Sequence, residues 1–371
     1  MVLSPISGLI TLGLCLYHIH SAYGFTQKSS HILAIPPRSR SQTSQMVLHH
    51  HPNDLQHLRQ KLVVILGPTA TGKTKASIEV ALNLRQHGIA AEIVNADSMQ
   101  VYQGFDIGTA KPTPLQMQQV KHHLFGLIEP TKDYNAASYV NACTDVIDIL
   151  RSRGVLPIVV GGTNMYIEGL IWPSVIDMQR SGPEYTTQEL YDKLNELDRE
   201  RAAMLHQNDR KRITRSLDVI RIYGMKHSDL IQQRKMERDK IGSKYDVIIF
   251  AMQCEPETHK KLIQKRTQAM LQNGIIEECL NLMKIIGLQK YNKTAISSTA
   301  YKELMPILEE SMNKESLPSD ETMKRCAAAL ETATWQYTRK QNTWIRNRIK
   351  SETGVKVVHI DTTGELFNLE T

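Results

Sequence analysis

Beyond residue 60 the chain alternates short apolar, β-branched runs with longer stretches whose apolar positions recur every three or four residues. The runs "KLVVIL" (61–66), "AAEIVNA" (90–96), "VLPIVV" (155–160), "YDVIIFAM" (245–252) and "VKVVHI" (355–360) read as strands. Between the first two lies "GKTKASIEVALNLRQHG", which places Ile78, Leu82 and Leu84 on one helical face and ends at Gly88, a helix-stop signal. Strand and helix in alternation predict an α/β fold, a parallel sheet flanked by helices. From about 174 to 243 the strands vanish and the chain turns charged and helical, which predicts an insertion. A second helical block runs from 256 to 350, broken near "GLQKYNKTAISSTAYKE". The predicted division is thus a leader (1–58), an α/β core (59–173), a helical insertion (174–243), and the rest of the core with a helical block (244–371).

The leader stands apart because its first 53 residues hold no Asp or Glu. Residues 6–17, "ISGLITLGLCLY", have the length of a signal-peptide core and are too short to span a bilayer, so no stable membrane association is expected of the mature protein. A Ser-rich, basic stretch follows Phe25, and the two together resemble the bipartite leader of complex plastids. A plain secretory signal, a mitochondrial leader and translation from Met46 are the alternatives. The five cysteines lack metal-ligand spacing, which argues against a disulfide framework or a zinc site.

Composition is otherwise ordinary for a globular chain, with 41% hydrophobic residues, but the net charge of +7 favours a polyanionic partner. The location of that charge sharpens the point. Residues 206–240 carry ten Lys/Arg against five acids, and residues 335–350 carry five with no acid, interleaved with Trp335, Tyr337 and Trp344. The aromatics are available for base stacking or for core packing.

The segment Gly67-Pro68-Thr69-Ala70-Thr71-Gly72-Lys73-Thr74 matches GxxxxGK[ST] in full, between an apolar strand and a helix. That context makes the fold P-loop NTPase-like. Loop amides and the helix N-terminus cradle phosphate oxygens, Lys73 adds a charge, and the Thr74 hydroxyl suits Mg²⁺. A hydrolase would place a Walker B aspartate after an apolar strand, yet "VLPIVVGGTN" and "YDVIIFAMQC" end without one. Acids follow only "AEIVNADSMQVYQGFD", as Asp97 and Asp106. Asp97 reads as a base over the second substrate, a hydroxyl in a small-molecule kinase or an amine in an alkyl transferase.

Several segments together resemble the tRNA dimethylallyltransferases: "GPTATGKT" (67–74), "NADSMQVYQGFDIGTAKPT" (95–113), "HHLFGLIEPTKDYNAASY" (122–139), "GGTNMYIEGL" (161–170), "HQNDRKRITRSLDV" (206–219) and "TWQYTRKQNTWIRNR" (334–348). The resemblance implies transfer of a dimethylallyl group from its diphosphate to the exocyclic amine of the adenosine 3′ of the anticodon in the tRNA anticodon loop. It implies that Gly67 to Thr74 hold dimethylallyl diphosphate with Mg²⁺, Thr74 taking the metal. Asp97 matches the general base, and Asp97, Ser98, Met99 and Gln100 match the contact with the target nucleotide. Thr163 matches a tRNA-contacting threonine, Lys211 to Arg215, with Arg212 between them, a tRNA-contacting segment, and Arg266 a catalytic arginine near the diphosphate. Ala300 stands where the family usually has Gly, which would restrict a backbone needing positive φ. The absence of a Cys/His zinc finger up to Thr371 matches bacterial-like or organellar members. The near alternative is an adenylate isopentenyltransferase acting on free AMP, ADP or ATP. A monomer is the default expectation.

Overall fold

Strand β1 (Lys61–Leu66) runs through the middle of a sheet whose six strands are all parallel. The computed structural model describes residues 61–172, 185–286, 299–314, 319–349 and 355–363, so the expected leader lies outside the described residues. In chain order β1 is followed by α1 (Lys73–Gln86), β2 (Ala91–Asn95), the short α2 (Pro114–Gln119), β3 (His122–His123), α3 (Ala136–Ser152), β4 (Leu156–Gly161) and α4 (Asn164–Ile171). The insertion contains α5 (Thr187–Leu197), α6 (Arg199–Ala203), α7 (Arg210–Tyr223) and α8 (His227–Ile241). After β5 (Asp246–Gln253) come α9 (Pro256–Gln272), α10 (Ile275–Ile286), α11 (Thr299–Glu303), α12 (Met305–Lys314), α13 (Asp320–Arg348) and β6 (Lys356–Asp361). The strand order is β3-β2-β4-β1-β5-β6.

The unbroken apolar runs of β1, β4 and β5 follow from burial on both faces, as covered parallel sheets require. Along β1 the alternation is still visible: Leu62, Val64 and Leu66 face the core under α3 and α4, while Val63 and Ile65 face the core under α1. Each such side chain contributes about 1.5–3 kcal/mol when fully buried. Helix α1 buries Ile78, Val80, Ala81 and Leu84, whereas Leu82, expected on that face, is half-buried. Gly88 turns the chain at φ 77°, where a side chain would be strained. The sequence-derived strand limits differ from these by a residue at most ends, and β3 was not anticipated. It is two residues long, too short to carry a period, and is defined by pairing with Ile93 and Val94.

The insertion leaves the core after α4 and returns at Lys244, whose amide donates to Ile171 at 2.9 Å. Its own core is small, built on Leu190, Leu194, Ala202 and Ile213. Asp198 ties the insertion together by accepting from Arg201 N and from the Ser228 amide and hydroxyl. Burial opposes ionisation of that carboxyl, but the hydrogen bonds outweigh it and hold it below the usual aspartate range. A third apolar cluster, including Val101, Phe105, Ile275, Leu282, Tyr301 and Leu330, locks α10, α11 and α13 against the loop after β2. Among the described residues no helix is long and apolar enough to cross a membrane. Cys143, Cys254, Cys279 and Cys326 are free thiols.

Candidate active site

The phosphate loop leaves β1 at Gly67, where an added Cβ would lie 3.0 Å from the Met252 Cβ and carbonyl of β5. Within the loop, the Thr71 hydroxyl and the Lys73 ammonium both donate to the Pro68 carbonyl, at 2.8 and 2.7 Å. Thr69 is held from outside through both backbone groups. Its amide donates to Gln341 Oε1 at 3.1 Å, and its carbonyl accepts from His259 Nε2 at 2.8 Å. Gln341, 4% exposed on α13, also donates to Gly162 O at 2.8 Å, so one side chain joins the phosphate loop to the turn after β4. Burial lowers the basicity of His259, and a ring nitrogen facing a carbonyl must carry the proton, so the imidazole acts as a neutral donor. Ala70 and Gly72 adopt left-handed backbone conformations, φ 62° and 77°. The Ala70 methyl packs with Leu262 and Ile263 of α9 and with Trp335.

Asp97 follows β2 and is fixed by its neighbours. The Asn95 side chain accepts from the Asp97 amide (2.9 Å) and donates to the Asp97 and Leu124 carbonyls. The Met99 amide donates to Asp97 Oδ1 at 2.9 Å, which orients the carboxylate. The Ser98 amide donates to the Thr163 hydroxyl at 2.9 Å, joining the turns after β2 and β4. Those strand ends can touch because position 161 is glycine: an added Cβ would meet the Ala96 carbonyl carbon at 2.2 Å.

Lys73, Arg266 and Asp97 share one electrostatic environment. Burial pushes the Lys73 ammonium down to about 8, with Asp97 resisting and Arg266 reinforcing the shift. Burial likewise lowers the Arg266 guanidinium, again opposed by Asp97. Arg266 donates to the Thr109 carbonyl at 3.3 Å, and Gln100 donates to the carbonyls of Thr109 (3.0 Å) and Ala110 (3.1 Å).

The remaining sequence candidates fall elsewhere. Asp106 is exposed and paired with Lys111 at 2.6 Å, so it adds no carboxylate to the cluster. Lys211, Arg212 and Arg215 lie on the first turns of α7 in the insertion, the first two exposed and the third half-buried. Arg212 reaches Asp209 at 3.2 Å. Trp335 packs edge-on to His259, and Trp344 packs on the main core, which leaves Tyr337 as the exposed aromatic of that segment. Ala300 lies in helix α11 and does not take positive φ, so the expected backbone restriction does not arise. Asn95, His259 and Gln341 were missed from sequence. Asn95 and Gln341 lie inside the segments that carry the family resemblance, but their partners are set by the fold.

A complete phosphate-loop sequence between strand and helix, two cations and an oriented carboxylate that shares their electrostatic environment, with no Walker B aspartate on β4 or β5, fit a P-loop group transferase. The IPP transferase family profile matches residues 100–348, and the isopentenyl transferase profile matches residues 60–125. The tRNA dimethylallyltransferase of Caldanaerobacter subterraneus subsp. tengcongensis is 32% identical over 298 residues, covering 77% of this chain and 89% of that protein. The chain belongs to the tRNA dimethylallyltransferase family. A second relative of the same name, from Staphylococcus aureus (strain MRSA252), is 32% identical over 303 residues, covering 78% and 90%. Among solved structures, the tRNA isopentenylpyrophosphate transferase of Bacillus halodurans matches with a TM-score of 0.55 at 29% identity, over 82% of this chain and 90% of that one. A eukaryotic dimethylallyltransferase, described as acting on tRNA, shares the fold with a TM-score of 0.70 at 24% identity, over 82% and 74%.

Proposed function

We propose that this chain transfers the dimethylallyl group of dimethylallyl diphosphate to the exocyclic N6 amine of the adenosine 3′ of the anticodon in tRNA. The observation that carries the reading is the Asp97 carboxylate, oriented by Met99 N and acting electrostatically on both Lys73 and Arg266. In the reaction the C1–O bond of the allyl diphosphate breaks, its electron pair leaves with the diphosphate, and the N6–C1 bond forms. The displaced amine proton goes to Asp97. An aromatic amine is a weak nucleophile, so the barrier falls chiefly by stabilising the leaving group. Lys73, Arg266 and the loop amides meet that charge, each well-placed donor contributing a few kcal/mol, about 2.7–4 in comparable oxyanion sites. Because Pro68 has no amide proton and the Thr69 amide is committed to Gln341, the phosphate oxygens would be met by the amides from Ala70 to Thr74.

Among the described residues no group of three or more His, Cys, Asp or Glu gathers as a metal cage. The Thr74 hydroxyl would supply one hard oxygen to Mg²⁺ brought in with the diphosphate, an ion that favours substrate phosphates and water as its other ligands. When bound, Mg²⁺ would neutralise charge on the diphosphate. The target base must leave its stack to reach Asp97, which a single-stranded anticodon loop makes easier. Thr163 and the turn from Ser98 to Gln100 would line its entry, and Lys211, Arg212 and Arg215 would hold phosphates. The first 53 residues, which hold no Asp or Glu, support delivery to a complex plastid, and a cytosolic protein in fractionated cells would overturn that assignment. A monomer suffices for the site described.

A second reading keeps the donor but uses free AMP as acceptor. The exposed cations of α7, far more than a mononucleotide needs, favour tRNA. Labelled dimethylallyl diphosphate offered with unmodified tRNA or with AMP should label the tRNA. Label in AMP and none in tRNA would reverse the assignment.

A further inference from the structure

We propose that Glu278 is a positioning residue for the transfer reaction, setting Arg266 in place through the loop 105–111, with Tyr301 holding Glu278 itself; this rests on the reading of the site given above. Glu278 lies on α10, the helix that follows the one carrying Arg266. Its Oε2 accepts from the amides of Asp106 (2.8 Å) and Ile107 (2.7 Å), and its Oε1 accepts from the Gly108 amide (2.9 Å) and the Tyr301 hydroxyl (2.7 Å).

Three consecutive amides converging on one point form an anion-binding concavity. Here the anion is the chain's own carboxylate. Hydrogen bonds to an ionised acceptor are roughly twice as strong as neutral ones, so about four of them on one side chain hold the loop firmly. The surroundings are shaped for this clamp. Tyr301 is fully buried in α11, its ring meets Phe105 edge-on at 4.8 Å, and a Cβ at position 108 would lie 2.5 Å from Tyr301 Cζ. Only glycine at 108 lets the phenol reach Glu278. Lys111 fastens the other side of the loop through Asp106 Oδ1 and the Tyr102 carbonyl.

The residue after the clamped amides is Thr109, and its carbonyl receives both Gln100 and Arg266. The clamp therefore fixes the acceptor from which the arginine is hung. Asp97 attracts Arg266, and a direct ion pair between them would hold the base's charge and swing the guanidinium off the diphosphate. Holding Arg266 on Thr109 keeps Asp97 free to take the proton.

The test is a double-mutant cycle with Arg266. Glu278→Gln keeps the size but turns an amide NH₂ toward backbone donors. It should lower kcat by about 100-fold, the cost of a misplacement on the order of an ångström, with KM for tRNA unchanged. In an Arg266→Ala background the same substitution should cost little more, because its effect runs through Arg266. Losses that multiply in full would overturn the proposal and leave Glu278 a stability residue. Tyr301→Phe, which removes one hydrogen bond, should lower kcat in the same direction by less; an unchanged kcat there would count against the clamp. Amide exchange read without any substrate separates this idea from the assigned reaction: residues 106–108 should be protected in the wild type and exposed in Glu278→Gln, and equal protection in both would refute the clamp even if tRNA is labelled.

Discussion

The phosphate loop and helix α7 are both suited to phosphate, yet they are built in opposite ways. In the loop, the Thr69 amide and carbonyl and the Pro68 carbonyl all have partners inside the protein, drawn from α1, α9 and α13. The cations there are desolvated enough that burial lowers both Lys73 and Arg266. On α7, Lys211 and Arg212 face solvent at a helix N-terminus, on an insertion with a small core of its own. Three successive basic residues at that end oppose the helix dipole, and the N-cap Asp209, which accepts from the Arg212 amide and pairs with its guanidinium, offsets part of that cost. The difference separates two tasks. A leaving group must be met at fixed geometry while charge develops, whereas a folded RNA must be caught and released.

The comparison breaks first at Asp97. Replacing it with Ala should lower kcat by about 10²–10⁴-fold, the usual worth of a general base, while a filter-binding titration shows tRNA affinity unchanged. A parallel loss of tRNA affinity would place Asp97 in docking and not in chemistry.

A pH effect comes next. Lys73 titrates near 8 in the free protein, and a bound diphosphate would keep it charged. Affinity for the diphosphate should therefore be full below pH 8 and fall as pH rises through it, by up to about tenfold per unit for one linked proton. Calorimetry in buffers of different ionisation heats should show proton uptake on binding near pH 8. For the empty protein the sign is opposite: the lysine's folded value lies below its ordinary one, so its burial costs stability below pH 8, and that cost is relieved as pH rises toward 10.5.

Gln341 tests whether the loop depends on being held. Gln341→Ala leaves a part-buried amide and a buried carbonyl without that partner, at about 1–3 kcal/mol, and should raise KM for dimethylallyl diphosphate about tenfold with tRNA affinity preserved. The gentlest effect belongs to α7. Each of Lys211→Ala, Arg212→Ala and Arg215→Ala should reduce the slope of log affinity against log salt by about 0.7–0.9 for every phosphate no longer neutralised, with kcat at saturating tRNA unchanged.

Much of this division was legible in sequence because it is local. A complete phosphate loop between a strand and a helix, an acid just past the second strand and clustered cations are all patterns of neighbouring residues, and Lys73 and Asp97 share one electrostatic environment; Arg266, which no local pattern suggested and only the family resemblance named, shares it. What escaped is what joins distant segments. Gln341 meets Thr69 across 272 positions and Glu278 meets the Asp106 amide across 172, and no periodicity links such pairs. Strand β3 escaped because two residues cannot show a period. Trp335 and Trp344 read in sequence as either stacking platforms or core residues, and both pack against apolar clusters of the protein. The exposed basic face of α7 was readable because an amphipathic helix with a small core has little choice about where its charges go.

The central claim is that the phosphate loop holds a leaving group and not a nucleotide substrate. Diphosphate release and label incorporation should therefore be measured together, with labelled dimethylallyl diphosphate, unmodified tRNA and, separately, ATP. The account predicts one diphosphate released for each adenosine labelled beside the anticodon, and no consumption of ATP. Diphosphate release that does not need tRNA, or turnover of ATP by the same loop, would contradict it.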